Sequence, residues 1–510
     1  MSVGDSIAFH GRFSADRLAC VDLRTGRRLS FAGLDERIAK CAGFLSRTLR
    51  SPLGTRVALL ARNSVDFLVM HFACARTGVI FQPLNWRLAG HELGALIADA
   101  GPELFIYEDE FADAAHQAMK GRALKRVMTI GEKTDELAEA IDAAEPIPPG
   151  DVPETAPILL LYTSGTTGKP KGVMVTERNA FSTALNFSGI SEISPRDVVL
   201  CDVPMFHVAG LCGLARASML MGATLYISDR FVPAKALKLL SDRSLGFTHY
   251  FAVAQMGQMM RADPTYKSAD LRHLKVIVSG GAPVPPVLIE GFLADGVSFV
   301  EGYGLSEAGT VLGIPANPKV VREKVGSAGV PALLIEAKLV GKDGREARAG
   351  EIGEIWVRGP SVTPGYWNQP EATAKVLTAD GWFKTGDAAT RDEDGFYRIV
   401  DRWKDMYISG GENVYPAEVE AVLHALAGVS DVGIIGVADA QWGEVGAAFV
   451  VIAAGATLTE KAVIEHCRAE IARYKVPKYV RFVAAIPRTG SGKIQKEVLR
   501  KMWAAGAQGS

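Results

Sequence analysis

Cysteine is scarce and scattered in this sequence: six in 510 residues, at Cys20, Cys41, Cys74, Cys201, Cys212 and Cys467. No CxxC pair and no Cys/His ligand spacing occurs among them, which excludes a disulfide scaffold and a structural zinc site. Reduced thiols in the cytoplasm are the expectation. No stretch approaches the roughly 18 consecutive apolar residues of a membrane span, although peripheral contact with a membrane stays open. The opening residues, MSVGDSIAFHGR, lack the charged-then-apolar order of a secretory signal. Charge of one sign is missing too: 56 Lys and Arg stand against 57 Asp and Glu, a net charge of −1. That balance gives no broad field for nucleic acid, and no nucleic-acid partner is expected. Also absent is the GxxxxGK[ST] phosphate loop, because the nearest candidate reads GTTGKP at 165–170. A kinase or GTPase of that type is disfavoured.

What is present is apolar and layered. Hydrophobic residues make up 48% of a chain too long for one ordinary domain. Short apolar runs at 56–61, 78–84, 104–109, 126–131, 198–203, 223–228 and 274–280 read as buried strands. Amphipathic stretches such as 65–76 and 90–100 read as helices between them. The alternation predicts an α/β fold whose large N-terminal domain holds layered, mostly parallel sheets. Near 335 the pattern changes to short alternating strands with Gly/Asp turns, a small β-barrel-like region. Beyond 402 a compact α+β stretch follows. The expected division is therefore 1–401 and 402–510, the second a smaller, mobile domain with its hinge at 402–405.

The most informative segment is LLLYTSGTTGKPKGV, 159–173. An apolar strand runs into a loop dense in Gly, Ser and Thr, then meets two lysines. Hydroxyls and unhindered backbone N–H groups of such a loop wrap polyphosphate, and lysine supplies compensating charge. The run YTSGTTGKPKG resembles the phosphate-loop signature of the adenylate-forming superfamily, which includes acyl-CoA synthetases, luciferases and peptide-synthetase adenylation domains. The resemblance implies that Thr163, Ser164, Gly165, Thr166, Thr167 and Lys171 bind ATP.

Further segments match the same superfamily in the same order. EGYGLSEAG, 301–309, is similar to its YGxTE segment. The match implies nucleotide contacts from Glu301, Gly302, Tyr303 and Ser306, with Glu307 as the carboxylate that holds Mg²⁺. Ser306 stands where the family often has Thr, which keeps the hydroxyl. SGGAP, 279–283, resembles the adenine-recognition turn and contributes Gly281, Ala282 and Pro283. Asp387 in WFKTGD and Arg402 in DRWKD are implied at the ribose, and Lys404 at the hinge. Lys493 in PRTGSGKIQK is implied as the catalytic lysine.

The resemblance is closest to bacterial fatty-acyl and aryl-CoA ligases and covers nearly the whole chain. It implies an AMP-forming ligase: a carboxylic acid and ATP give acyl-AMP and pyrophosphate, and coenzyme A then takes the acyl group. ATP, Mg²⁺ and coenzyme A are the implied cofactors, and a small carboxylic acid is the partner, in a monomer or homodimer. Rotation about Lys404 would bring Ser409, Gly410, Gly411 and Trp442 to the coenzyme channel, with core packing the alternative role for Trp442. His207 is implied beside the acid, against the plainer reading of a core histidine. The acid pocket is expected from His207, Val208, Gly210, Val253, Ala254, Met256, Gly304 and Ala308. Malonate-type members carry an Arg around Met259, so its absence disfavours a dicarboxylic acid. Apolar walls with Met favour a medium or long fatty acid, with an aryl acid of the cinnamate or ferulate type as the alternative. An adenylating enzyme that serves an amine or carrier protein, and an ATP-binding regulator without chemistry, are the rival readings.

Overall fold

The computed structural model describes residues 4–507 except 123, 132–133, 164–169, 282–283, 403–404, 410–411 and 489–492. The chain divides into two compact units, Met1–Ala337 with Val357–Phe383, and Lys338–Trp356 with Lys384–Ser510.

The first unit holds two sheets. A six-stranded sheet has the spatial order Arg126–Ile130, Leu104–Glu108, Arg56–Leu60, Ile80–Pro83, Pro157–Thr163, Lys171–Thr176. Its pairs are parallel except the last, a hairpin. Parallel strands covered on both faces need apolar side chains on both, which is why ILLL at 158–161 is continuously buried. A nine-stranded sheet runs Val330–Pro331, Gly309–Gly313, Phe299–Leu305, Val276–Ser279, His249–Phe251, Val198–Cys201, Thr224–Ile227, Leu18–Asp22, Arg28–Ser30. The six strands from Phe299–Leu305 to Leu18–Asp22 are mutually parallel.

The two sheets share one hydrophobic core, in which Phe81 and Leu159 of the first belong to the same cluster as Val199, Ile277 and Phe299 of the second. The helix Glu177–Ser191 starts directly after the hairpin, capped by the Thr176 hydroxyl, which accepts from the Asn179 N–H. It lies against the strand Gly309–Gly313, where the Asn186 amide donates to the Thr310 carbonyl at 3.2 Å. Gly309 sits at φ +64°, and a Cβ there would strike Thr183. Glycine is required at that position.

The second unit contains a four-stranded sheet in the order Glu336–Val340, Gly353–Arg358, Phe383–Arg391, Tyr397–Arg402. These are the short alternating strands that the sequence groups with the N-terminal domain. Here they belong mostly to the unit carrying the C-terminal residues, because the strand Phe383–Arg391 pairs directly with Tyr397–Arg402. A second, five-stranded sheet is built around the long antiparallel pair Val429–Asp439 and Gly443–Ile452, with Tyr479–Phe482 added in parallel. The helices Pro416–His424 and Glu460–Glu470 cover it through Val419, Leu423, Val463 and Cys467, all fully buried.

Candidate active site

Thr163 and Lys171 pair across the last rung of the 157–176 hairpin and close the phosphate loop at its base. Ser164, Gly165, Thr166 and Thr167 lie outside the described residues. Side chains directly opposite on an antiparallel pair share a face, and the next pair faces the other way. The two faces have different work. On one, the Tyr162 hydroxyl donates to Asp99 at 2.6 Å. On the other, the Lys171 ammonium lies 4.8 Å from the centre of the Tyr366 ring. The Tyr366 hydroxyl in turn donates to Glu307 Oε1 at 2.9 Å.

Tyr366 is buried and is placed by main-chain contacts. Val173 and Tyr366 form a β-bridge, and the Trp367 N–H donates to the Gly172 carbonyl at 2.7 Å. The same segment grips the Glu307 turn: the Thr363 N–H donates to the Glu307 carbonyl at 2.7 Å, and the Ser361 hydroxyl to the Ala308 carbonyl at 2.8 Å. Residues 361–367 thus strap the phosphate hairpin to the turn that carries Glu307. Thr363 and Tyr366 escaped the sequence reading. The only hint in the sequence is a Gly-Tyr-Trp run at 365–367, which names no chemistry by itself.

The remaining first-unit candidates leave the C-terminal ends of four adjacent parallel strands, Val198–Cys201, His249–Phe251, Val276–Ser279 and Phe299–Leu305, where open α/β sheets bind ligands. Ser279 and Glu301 are in register, and Glu301 Oε1 accepts from the Val284 N–H at 3.4 Å. That contact joins the turn carrying Gly281 to the strand carrying Glu301, Gly302 and Tyr303. Ala282 and Pro283 lie outside the described residues. Glu301 is buried, and Gly302, Tyr303, Gly304, Ser306 and Glu307 are half-buried.

Of the expected acid-pocket residues, Gly210, Ala254, Met256 and Ala308 are buried, and His207, Val208 and Val253 half-buried. Gly210 belongs to a π-helical turn, Ala209–Ala215, of the kind that often marks functional sites. A Cβ at 210 would strike the Pro204 carbonyl. Met259, the position where malonate-type members carry an Arg, is 44% exposed. On the helix Ala254–Ala262, Met256 and Met260 are buried, whereas Met259, at the edge of the same face, is exposed.

In the second unit, Asp387 stands directly opposite Arg402 in the antiparallel register of its four-stranded sheet. Asp387 is buried, and its N–H donates to the Thr385 hydroxyl at 3.1 Å. Lys404, Gly410 and Gly411 lie outside the described residues. Ser409 pairs with Gly443, which brings the turn bearing Trp442 beside it. Trp442 is 48% exposed, so core packing is not its role. Lys493 is exposed on the loop between the bridged residues Arg488 and Ile494.

Residues 9–367 match the family model for AMP-binding enzymes, and residues 418–493 match that for the AMP-binding enzyme C-terminal domain. The chain belongs to the AMP-binding enzyme family. It is similar to feruloyl-CoA synthase of an Amycolatopsis species, 41% identical over 478 residues, or 93% of this chain and 94% of that protein. It is also similar to the long-chain-fatty-acid–CoA ligase FadD13 of Mycobacterium tuberculosis, 36% identical over 491 residues, or 96% and 95%. Among solved structures, ATP-bound MatB from Rhodopseudomonas palustris aligns with a TM-score of 0.88 at 31% identity, over 98% of this chain and 99% of that one. The chain is thus an AMP-forming acyl-CoA synthetase that uses ATP and coenzyme A.

Burial moves two titratable groups of the synthetase toward their neutral forms. Burial, with the Arg87 cation as a smaller cause, pulls the His207 imidazole down to about 4. Its Nε2 is buried and finds no hydrogen-bond partner among the described residues. An uncharged imidazole with an unmet polar atom suits hydrogen bonding to a substrate better than ion pairing with a carboxylate. Burial pushes the Asp202 carboxyl up to about 7, although the Tyr250 hydroxyl beside it, at 2.9 and 3.0 Å, opposes the rise.

No cluster of three or more His, Cys, Asp or Glu side chains fit to hold a metal occurs among the described residues of the synthetase. Mg²⁺ does not need one, because it binds through one or two carboxylates plus substrate phosphates and water. A half-buried Glu307 oriented by Tyr366 fits that requirement. No helix among the described residues is long and apolar enough to cross a membrane.

Proposed function

We propose that the synthetase activates a hydrophobic monocarboxylic acid of the arylpropenoic class and passes it to coenzyme A. The observation that carries this reading is the apolar or small character of Val208, Gly210, Val253, Ala254, Met256, Gly304 and Ala308, together with a neutral His207. Such walls stabilise a hydrophobic acid by about 0.8 kcal/mol per buried CH₂. Similarity to a feruloyl-CoA synthase supports an aryl acid, the alternative to the fatty acid favoured by sequence alone. A long-chain fatty acid is the second reading, supported by the likeness to FadD13 and by the adaptable Met256.

In the first half-reaction a carboxylate oxygen attacks the α-phosphorus of ATP, and the bond to pyrophosphate breaks. Negative charge spreads over the phosphate oxygens, so fixed donors and cations are worth most there. Thr163, Lys171 and the loop between them bind the phosphates, with Lys171 held as a point charge. Ser306 hydrogen-bonds near the α-phosphate, and Tyr303, with the turn at 281–283, takes the adenine. Glu307 would hold Mg²⁺, which supplies charge neutralisation on the phosphate oxygens when bound. Asp387 and Arg402 take the ribose, and Lys493 steadies the carboxylate and the α-phosphate. In the second half-reaction the thiol sulfur attacks the acyl carbon, and the bond to AMP breaks. We assign the turn about 402–405 to the interval between these steps, with Ser409, Gly410, Gly411 and Trp442 flanking the coenzyme.

A pyrophosphate-release panel tests the reading. Arylpropenoic acids should give the highest kcat/KM, fatty acids less and dicarboxylic acids least, with AMP and thioester formed only when coenzyme A is added. Turnover of ATP to ADP, or pyrophosphate release that never yields a thioester, would refute it.

A further inference from the structure

We propose that Tyr366 is a positioning residue for adenylation: its hydroxyl aims the Glu307 carboxylate at the metal, and its ring face seats Lys171 at the base of the phosphate loop. The inference rests on the reading of Glu307 as the metal carboxylate. It goes beyond that reading by naming the group that orients it.

Three observations support the role. One side chain reaches both charged groups, with Lys171 4.8 Å from the ring centre and Glu307 Oε1 2.9 Å from the hydroxyl. The side chain cannot wander, because it is 6% exposed and its backbone is bridged to Val173. The adjacent Trp367 and Gly365 are hydrogen-bonded to the hairpin through the Gly172 carbonyl and the Met174 N–H. The chemistry of the contacts also matters. A phenol donates one hydrogen bond to a carboxylate without cancelling its charge, which restricts its rotation and leaves lone pairs for a hard cation. An aromatic face attracts an ammonium without the negative charge that would compete with phosphate for it. An Arg at 366 would neutralise Glu307 and repel Lys171; a Leu would orient neither.

The rival explanation is that Tyr366 only fills space, since its ring packs against the shared core. Tyr366→Phe keeps the ring and removes the hydroxyl, whereas Tyr366→Leu removes both. The full-length enzyme is titrated calorimetrically with ATP, without any acid so that no turnover occurs, once with Mg²⁺ and once with EDTA. Tyr366→Phe should weaken Mg²⁺-dependent ATP binding by roughly 10- to 100-fold, the usual loss when a metal ligand's orienting partner is removed. Its affinity for ATP in EDTA should stay within about twofold of the parent, because Lys171 keeps its ring. Tyr366→Leu should weaken the EDTA arm as well, by roughly two- to fivefold.

Glu307→Gln, run in parallel, separates the two layers of the argument. If it leaves the Mg²⁺ arm intact, the metal role of Glu307 fails and the Tyr366 proposal falls with it. If Glu307→Gln abolishes the Mg²⁺ arm while Tyr366→Phe leaves it unchanged, the positioning role alone is overturned. A Tyr366→Phe enzyme that melts early and loses both arms equally would also overturn it, because packing alone would then explain the residue.

Discussion

Lys493 and Lys496 stand three positions apart in the same Gly-rich segment, and the fold treats them in opposite ways. Lys493 is exposed on its loop. Lys496 is buried at the start of the helix Lys496–Ala507, with its ammonium 3.2 Å from Glu420 and 3.8 Å from Asp401. Both carboxylates are already committed to the scaffold: Asp401 accepts from the Ala417 N–H, and Glu420 from the Ile434 N–H. Burial pulls the Lys496 pKa down, but Glu420, Asp401 and Asp405 outweigh it and raise the net value, so the charge is kept. A lysine enclosed by partners serves the fold. Lys493, three positions earlier and at the surface, is the lysine proposed to meet the substrate, so neighbouring lysines of one segment are given different work.

Breaking the buried member should give the largest effect. Lys496→Met leaves Asp401 and Glu420 buried without their cation, a situation that typically costs about 3–5 kcal/mol. Denaturant melts should show that loss, and both half-reactions should fall together. An unchanged melt would remove the contrast. Lys493→Ala should leave the melt alone and slow adenylation roughly 100- to 1,000-fold, the scale of a lost transition-state charge contact. Thioester formation from supplied acyl-AMP should largely survive, and equal loss of both steps would sink the role given to this lysine.

Smaller effects come from Asp202 and His207, two groups whose shifts are dominated by burial. Asp202 has a folded pKa of about 7 against 3.8 for the free group, so it retains a proton that the unfolded chain has released. Its contribution to stability is complete below about 4 and is lost as pH rises through 7. Asp202→Asn should therefore raise the melting temperature at pH 8 relative to the parent and change it little at pH 5. His207 runs the other way. Its folded pKa of about 4 lies below the ordinary 6.5, so its contribution is complete above 6.5 and lost as pH falls through 4. His207→Gln should flatten the acid limb of the melting profile, the smallest effect of the four.

Sequence reading reached the strands and motifs for different physical reasons. ILLL at 158–161 was legible because a strand buried on both faces must be apolar throughout. The pairing of Asp387 with Arg402 was not visible as a register, yet both residues stood out inside their motifs. Tyr366 and Thr363 carry no such mark, since their importance arises from a β-bridge between Tyr366 and the distant Val173. The strand Leu18–Asp22 extends the nine-stranded sheet beside Thr224–Ile227, a partnership that no local pattern encodes.

The helix Glu177–Ser191 sets where this enzyme can be redesigned. It emerges from the phosphate hairpin and lies against the strand Gly309–Gly313, so close that a side chain at Gly309 would collide with Thr183 and one at Gly313 with Ile190. Enlarging side chains on that strand would displace the helix and, with it, the hairpin from which the helix emerges. Residues 207–208 and 253–256 are not bound by that constraint, and altered acid preference is best sought there.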